Sequence, residues 1–490
     1  MEDSNHVFTK EQLNTILNTA INQTLGAVDK NNVFDRTIGH DKITGVAGDV
    51  IEQSVLGYPA DSYQKPDLIV DGVEVELKTT GIRKSKKNSN QYEAKEPMSI
   101  TAVSPESIVN ENFETSNFWH KLEHLLLVYY LYDSEKRVVA SEYANFPIKG
   151  YDFHEFNDDE IEILKNDWTI VNNYIQELQA LHETPEDFYP TISSKLRPNL
   201  MMIDTAPKWP HRPRFRLKRA AVTTLVQQYF GEHLESLDAD LNSFAKIDQQ
   251  LNHFTQEYQN KTIKELLYLF NIPIKLGRTG DVAKSVTEQI VTHMFGATSH
   301  KISNIKLFKE IGLIGKTITQ TASGNRTEDT KLLSIDFTEW LDSDKSFEES
   351  SLYNYFNETQ FLFIIFEEPS TKSKLLDNKF KGFKRLSFTE DFINNIVQST
   401  WKDTRKTIFE NKLVETTRRN NKGKIIVNKN GVISTEINLP KAATHQVFLR
   451  GTGSDSSNKP IEINGIKMYR QYVWIKGASL VALLNNISYI

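Results

Sequence analysis

The sequence predicts a mixed α/β chain in which one architecture occurs twice, and three observations predict it. Strand-type runs, led by "PDLIVDGVEVELKTT" (66–80), alternate with segments whose apolar residues recur at helical spacing. Asp71-Gly72 stands between two apolar-rich runs, a strong local signal for a two-residue hairpin. From about residue 235 the segment patterns begin again in the same order.

A chain of 490 residues exceeds one ordinary core and predicts two or three domains; the reading here is 1–235 and 236–490. Hydrophobic residues make up 39% and charged residues 25%, as in ordinary globular proteins. Cysteine is absent, which excludes a disulfide framework, a thiolate zinc site and a cysteine nucleophile, and fits a reducing bacterial cytoplasm. The opening "MEDSNHVFTKEQL" is acidic and polar, unlike a signal peptide. The apolar run near "LLLVYYLY" is too short to span a membrane. With a net charge of −6, any nucleic-acid site has to be a local basic patch.

Taken in order, residues 10–30 read as a helix behind a Thr9 cap. "GVAGDVIEQSVLG" reads as a helix between glycines and carries Glu52. "SNFWHKLEHLLLVYYLYD" ends as a buried strand, and "NDDEIEILKNDWTIVNNYIQELQALHE" is a long amphipathic helix whose leading acids suit its dipole. "SSKLRPNLMMID" reads as a loop or strand edge, and "KWPHRPRFRLKRAAVTTLVQQYF" as a basic strand entering a helix.

The hairpin carries the chemistry. Its closure sets Asp67 opposite Glu76 and puts Glu74, Glu76 and Lys78 on one face. Two carboxylates that close suit a hard cation such as Mg²⁺, and an adjacent ammonium can orient a water or steady charge on a phosphate. Alternating charge is also the ordinary solvated face of a sheet. Lys84, Lys86 and Lys87 follow as a basic cluster, and His211, Arg212, Arg214 and Arg216, broken by Phe215, form a second. Both fit phosphate contacts as well as solvated loops. His120 and His124 lie four apart with no third ligand nearby, which argues against zinc. Trp168 reads as core.

The repetition is visible in paired segments. "GDVAKSVTEQIVTHMFG" echoes "GVAGDVIEQSVLG", with Glu288 in the place of Glu52. "FKEIGLIGKTI" echoes "GVEVELKTT", with Ile314 for Glu76 and Lys316 for Lys78, and no acid convincingly replaces Asp67. "NETQFLFIIFEE" echoes the buried strand, and "QYVWIKGASLVALL" echoes "PRFRLKRAAVTTLV". The second copy therefore reads as stripped of its carboxylate pair.

In order along residues 40–235, "GDVIEQSVLG", "PDLIVDGVEVELKT", "WHKLEHLLLV", "LKNDW", "LRP" and "PRFRLKRAAVTTLVQQYF" resemble MutH, the mismatch-repair nicking endonuclease, and its restriction-enzyme relatives that cut GATC. The resemblance implies a restriction-endonuclease-like PD-(D/E)xK core, duplicated as two MutH-like domains, the second inactive. It implies Asp67, Glu76 and the Leu77 carbonyl as metal ligands, Lys78 as the motif lysine, Glu52 as the helix-borne acid and Lys121 as an additional active-site lysine. Lys121 reads equally as the polar edge of the strand after it. Arg197 and Pro198 match the Arg-Pro of the GATC-reading loop, where a guanidinium fork can take guanine O6 and N7 together. Lys218 matches a lysine near the DNA, and Arg450 and Lys476 are its second-domain candidates, Arg450 as counterpart of Arg197. Three features depart from the family. The Asp67–Glu76 interval is two residues longer, an even insertion that keeps both acids on one face. Arg216 replaces the aromatic residue that senses adenine methylation, and Asn199 replaces the lysine after Arg-Pro.

The resulting expectation is a Mg²⁺-dependent type II restriction endonuclease. It would cut double-stranded DNA at GATC as a transient dimer, with a second GATC site as effector of the C-terminal domain. The alternatives are a GATC nickase of the repair type, which would cut one strand, and a non-catalytic GATC-binding protein. A Mg²⁺ phosphatase would leave the Arg-Pro and basic-strand motifs unexplained.

Overall fold

The computed structural model describes residues 6–40, 43, 45–59, 65–85, 88–134, 138–206, 213–278, 280–325, 328–370, 373–453 and 455–490. Two compact units divide the chain: Met1–Asp248 with Phe295–Leu313, and Gln249–Met294 with Ile314–Ile490. The division thus differs from a single cut at 235. Polar contacts hold 295–313 to the first unit: Lys306 Nζ lies 2.7 Å from Glu160 and Lys309 Nζ 2.7 Å from Glu232, while Ile305 and Phe308 are buried. Among the described residues no helix is long and apolar enough to cross a membrane.

In the first unit, β1 (Val7–Phe8), β2 (Leu68–Val70), β3 (Val73–Lys84), β4 (Tyr92–Ala94), β5 (Met98–Ala102), β6 (Leu125–Leu131), β7 (Ile148–His154), β8 (Ile203–Asp204) and β9 (Arg214–Leu217) form two sheets. The larger has the order β1-β2-β3-β6-β7, with β4 also on β3; the smaller is β5-β9-β8. Asp71 and Gly72 have φ of 50° and 86°, both positive as a type I′ hairpin turn requires. The turn sets the predicted register: Leu68 opposite Val75, Ile69 opposite Glu74, Val70 opposite Val73. β3 then runs parallel to β6, which is buried over most of its length, so β3 is an interior strand.

Thr9 caps the first helix with a capping box, but the helix ends at Ala20 instead of 30 because Asn22 turns left-handed at φ 65°. The segment between glycines is helical over Val46–Val50 and widens to a π-turn over Ile51–Leu56. Asn157 caps the long helix Asp158–Leu181. Its apolar face takes in Trp168, which is buried as expected. The segment read as a loop before Arg197-Pro198 contains the short helix Ile192–Leu196.

In the second unit the strands are β10 (Leu313–Thr321), β11 (Thr330–Ser334), β12 (Gln360–Glu368), β13 (Lys379–Leu386), β14 (Glu415–Thr417), β15 (Thr435–Ile437), β16 (Val447–Gly451), β17 (Ile461–Ile463), β18 (Ile466–Met468) and β19 (Gln471–Ile475). One sheet is β10-β12-β13 and another β11-β19-β16, and β14-β15 and β17-β18 are two-stranded. These orders parallel β3-β6-β7 and β5-β9-β8. The register parallels them too. Leu217 in the central β9 faces Met98 and Ile203, and Ile475 in the central β19 faces Thr330 and Val447. Each central strand feeds a helix, Arg219–Tyr229 or Gly477–Asn485, through the lysine that precedes it, Lys218 or Lys476.

Candidate active site

Glu76 is the centre of the site. β3 carries it between β2 and β6, and it is only 1% exposed. A buried carboxylate is stable as an ion only when it is paired. Lys121 Nζ donates to both of its oxygens, at 3.0 and 2.9 Å, and Lys78 Nζ donates to Oε1. Lys121 follows the short helix Asn117–His120. It therefore belongs with the hairpin cluster and is no mere polar strand edge.

Asp67 lies just before β2. Its Oδ2 accepts from the Leu77 N–H at 2.9 Å, so the segment expected to supply a metal-ligating carbonyl also orients the first acid. Burial pushes the Asp67 carboxyl above its usual range and the charge of Glu76 adds to this, against the lowering effects of Lys78, Leu77 N–H and Lys121. Two acids and two lysines thus share one corner of the sheet. Glu52 lies near Gly48 and Thr79: a Cβ at Gly48 would lie 3.9 Å from its Oε1 and 3.5 Å from Thr79 Oγ1.

The DNA-contact expectations divide. Lys84, at the end of β3, and Arg214, on β9, are exposed. Lys86, Lys87, His211 and Arg212 lie outside the described residues. Arg216 grips Asp204 with both arms of its guanidinium, at 2.7 and 2.9 Å. Lys218 is 3% exposed and donates to the Leu200 carbonyl, so its ammonium faces the interior. Arg197, at the end of the helix Ile192–Leu196, is 7% exposed, with Pro198 next to it.

Asp167, which sequence reasoning passed over, is buried on the long helix and supplies the charge that Lys218 faces. It is 0% exposed and accepts from the N–H groups of Met201, Met202 and Ile203 at 2.8–3.1 Å. Burial pushes its carboxyl up to about 6, although those N–H groups and the charge of Lys218 favour the ion. The signal was available: Asp167 falls four residues after Ile163 and three after Leu164, on the apolar stripe of its helix.

In the second unit Ile314 and Lys316 lie on β10, and Lys316 Nζ donates to the Lys331 carbonyl at 3.2 Å. Arg450 pairs with Asp329 at 2.6 Å and lies 4.8 Å from the Trp474 ring. The second oxygen of Asp329 accepts from the Gly477 N–H at 3.1 Å, beside the exposed Lys476. Val447 faces Ile475 as Ile203 faces Leu217, and Arg450 lies three residues further along β16. His124 pairs with Glu155 at 3.1 Å. Among the described residues no group of three or more His, Cys, Asp or Glu side chains is arranged to hold a metal ion.

The acid–lysine cluster coincides with a known family. A model described as "DNA mismatch repair enzyme MutH" matches residues 56–167, which include Asp67, Glu76, Lys78 and Lys121. The chain is also 28% identical over 389 residues to the type II restriction enzyme Sau3AI of Staphylococcus aureus, covering 75% of each chain. With a MutH-type region holding the buried Glu76 and its lysines, and a restriction enzyme as a relative over three-quarters of its length, this chain is an enzyme, a site-specific DNA nuclease.

Proposed function

We propose that the enzyme is a type II restriction endonuclease that cuts both strands of DNA at GATC with Mg²⁺. The observation that carries this reading is the buried Glu76 carboxylate, held by Lys78 and Lys121 beside Asp67 inside the MutH-matched region. The donor set fits a hard divalent cation. Burial raises the Asp67 carboxyl and the charge of Glu76 adds to it, as expected where two acids converge. Mg²⁺ takes one or two carboxylates and fills its shell with water and phosphate oxygens, so no closed protein cage is needed.

Asp67, Glu76 and the Leu77 carbonyl would hold the metal, which supplies Lewis-acid polarisation of the scissile phosphate and a lowered pKa for bound water. Lys78 orients the attacking water and offsets the negative charge that develops on the phosphate. Lys121 pairs with both oxygens of Glu76 and positions it. The Leu77 N–H fixes the rotamer of Asp67. Glu52 completes the set from the helical turn Ile51–Leu56. Lys84 and Arg214 contact the DNA backbone, and Arg197 with Pro198 reads bases once DNA binding brings it out of its buried position.

The second unit is, in this reading, a degenerate MutH-like copy that binds another GATC duplex through Arg450 and Lys476 and promotes assembly of two chains on DNA. The repeated strand order and register support the duplication. With one such acid–lysine cluster among the described residues, cleavage of both strands needs two chains or two successive nicks. That single cluster also favours a second reading, a GATC nickase.

Digestion of plasmids with one or two GATC sites, in Mg²⁺ or EDTA, tests both readings. Linear products cut at GATC, formed faster on the two-site plasmid, are expected. Open circles that never become linear would replace the restriction reading with the nickase. Binding to GATC with no cut in any metal would reject both.

A further inference from the structure

We infer that His6 is a positioning residue for the catalytic metal site: its ring holds Asp67 at the one point where the sheet ladder cannot. This inference rests on the nuclease reading of Asp67 and Glu76. β1 runs parallel to β2 with Val7 opposite Ile69 and Phe8 opposite Val70. The main chain continues this clamp at the far end, where the Asp71 N–H donates to the Phe8 carbonyl at 3.0 Å and the Lys10 N–H to Asp71 Oδ2 at 3.1 Å. At the near end β2 stops at Leu68, so the Asp67 carbonyl lies one residue beyond the strand. There a side chain takes over: His6 Nδ1 lies 2.8 Å from Asp67 O. A carbonyl only accepts, so Nδ1 carries the proton and donates it.

Asp67 is thereby fixed twice, through its carboxylate by Leu77 N–H and through its carbonyl by His6. The other side of the imidazole is fixed as well. The His6 ring packs against Tyr58, with centroids 4.3 Å apart. The Tyr58 N–H donates to the Glu52 carbonyl at 3.1 Å, and Tyr58 is itself buried. One ring therefore links the turn that carries Glu52 to the residue that carries Asp67. These two acid-bearing segments lie on different elements, and β3 alone does not join them. Groups that orient a metal ligand without touching the metal typically set affinity by about 10–100-fold.

The test uses the full chain with His6→Ala, His6→Asn and His6→Gln. The Asn amide nitrogen sits at the same bond distance from the backbone as Nδ1, whereas the Gln amide nitrogen lies one bond further out. Two readouts are taken: Mg²⁺ half-saturation in single-turnover cleavage, and Ca²⁺ half-saturation of binding to a fluorescent GATC duplex. His6→Ala and His6→Gln are expected to raise both half-saturation values by about 10-fold or more, while the KM for DNA at saturating metal stays within about twofold of wild type. His6→Asn restores both values. If His6→Ala lowers the unfolding temperature yet leaves both metal dependences at wild-type values, the ring is structural and the inference is overturned. Failure of Asn to restore the metal dependence that Ala loses would overturn it too. If wild type binds the duplex but cuts in no metal, the nuclease reading fails, and the Ca²⁺ titration still decides the role of His6.

Discussion

The two units place the same kind of lysine at the same register and use it in opposite ways. Lys218 and Lys476 each end the central strand of a three-stranded sheet and precede a helix. Lys218 is buried and Lys476 is exposed. The cause lies on a helix far away in sequence. In the first unit the "NDW" of the long helix offers Asp167 to the 201–203 backbone, and its carboxylate gives Lys218 a buried counter-charge. In the second unit "STW" stands at the equivalent place. There Thr400 Oγ1 makes one bond to the Val447 carbonyl, at 2.5 Å, and Trp401 is buried as Trp168 is. With a hydroxyl in place of the carboxylate there is nothing to hold a buried ammonium, and the lysine turns to solvent. The active-site strands differ in the same way. β3 carries Glu76 with two lysines, while β10 carries Ile314, and Lys316 falls back on a main-chain carbonyl.

That comparison can be broken most sharply at the two strand lysines. Lys78→Ala is expected to lower single-turnover cleavage by about 10²–10⁴-fold, whereas Lys316→Ala leaves it within about twofold. A comparable loss in both would mean that the second strand takes part in the chemistry. Next in size is the buried pair. Asp167→Ala strands Lys218 and three amides, and should cost about 3–5 kcal/mol in urea unfolding, against about 1 kcal/mol for Thr400→Ala. The double variant Asp167→Ala/Lys218→Met should cost less than Asp167→Ala alone, because no cation is then left in the interior. Additive costs would separate the two residues.

The same pair has a pH signature that the second unit lacks. The folded-state pKa of Asp167, about 6, lies above its ordinary value of 3.8. Its contribution to stability is therefore complete below about 3.8 and lost as pH rises through about 6, on the order of 3 kcal/mol in all. Asp167→Thr should flatten the stability profile between pH 4 and 6 relative to wild type, and Thr400→Ala should leave the profile unchanged. An unchanged slope in Asp167→Thr would assign the titration to another group. The smallest effects belong to the surface cations. Arg214→Ala and Arg450→Ala should each weaken duplex binding a few-fold and reduce the slope of log K against log salt by about 1. An unaltered slope for Arg450→Ala would remove the second unit from the DNA interface.

What the residues determined by themselves is local. Asp71-Gly72 and the two-residue period set the hairpin register, because a positive-φ turn and the alternation of side chains leave one pairing. The capped starts at Thr9 and Asn157 and the buried run of β6 follow from the same short-range rules. The grouping of Asp67, Glu76 and Lys78 was legible for that reason, and the ordered echoes anticipated the repeated strand order. What only the tertiary structure decided is which charges are buried and with whom. Arg197, Arg216 and Lys218 read alike as basic residues near DNA. Arg216 is held by Asp204, 12 residues away, and Lys218 faces the charge of Asp167, 51 residues away. Likewise nothing near "SNHVF" announces that His6 reaches Asp67, 61 residues away. A charged side chain is worth little on the surface and much in the interior, and burial is set by the whole fold, not by neighbours in sequence.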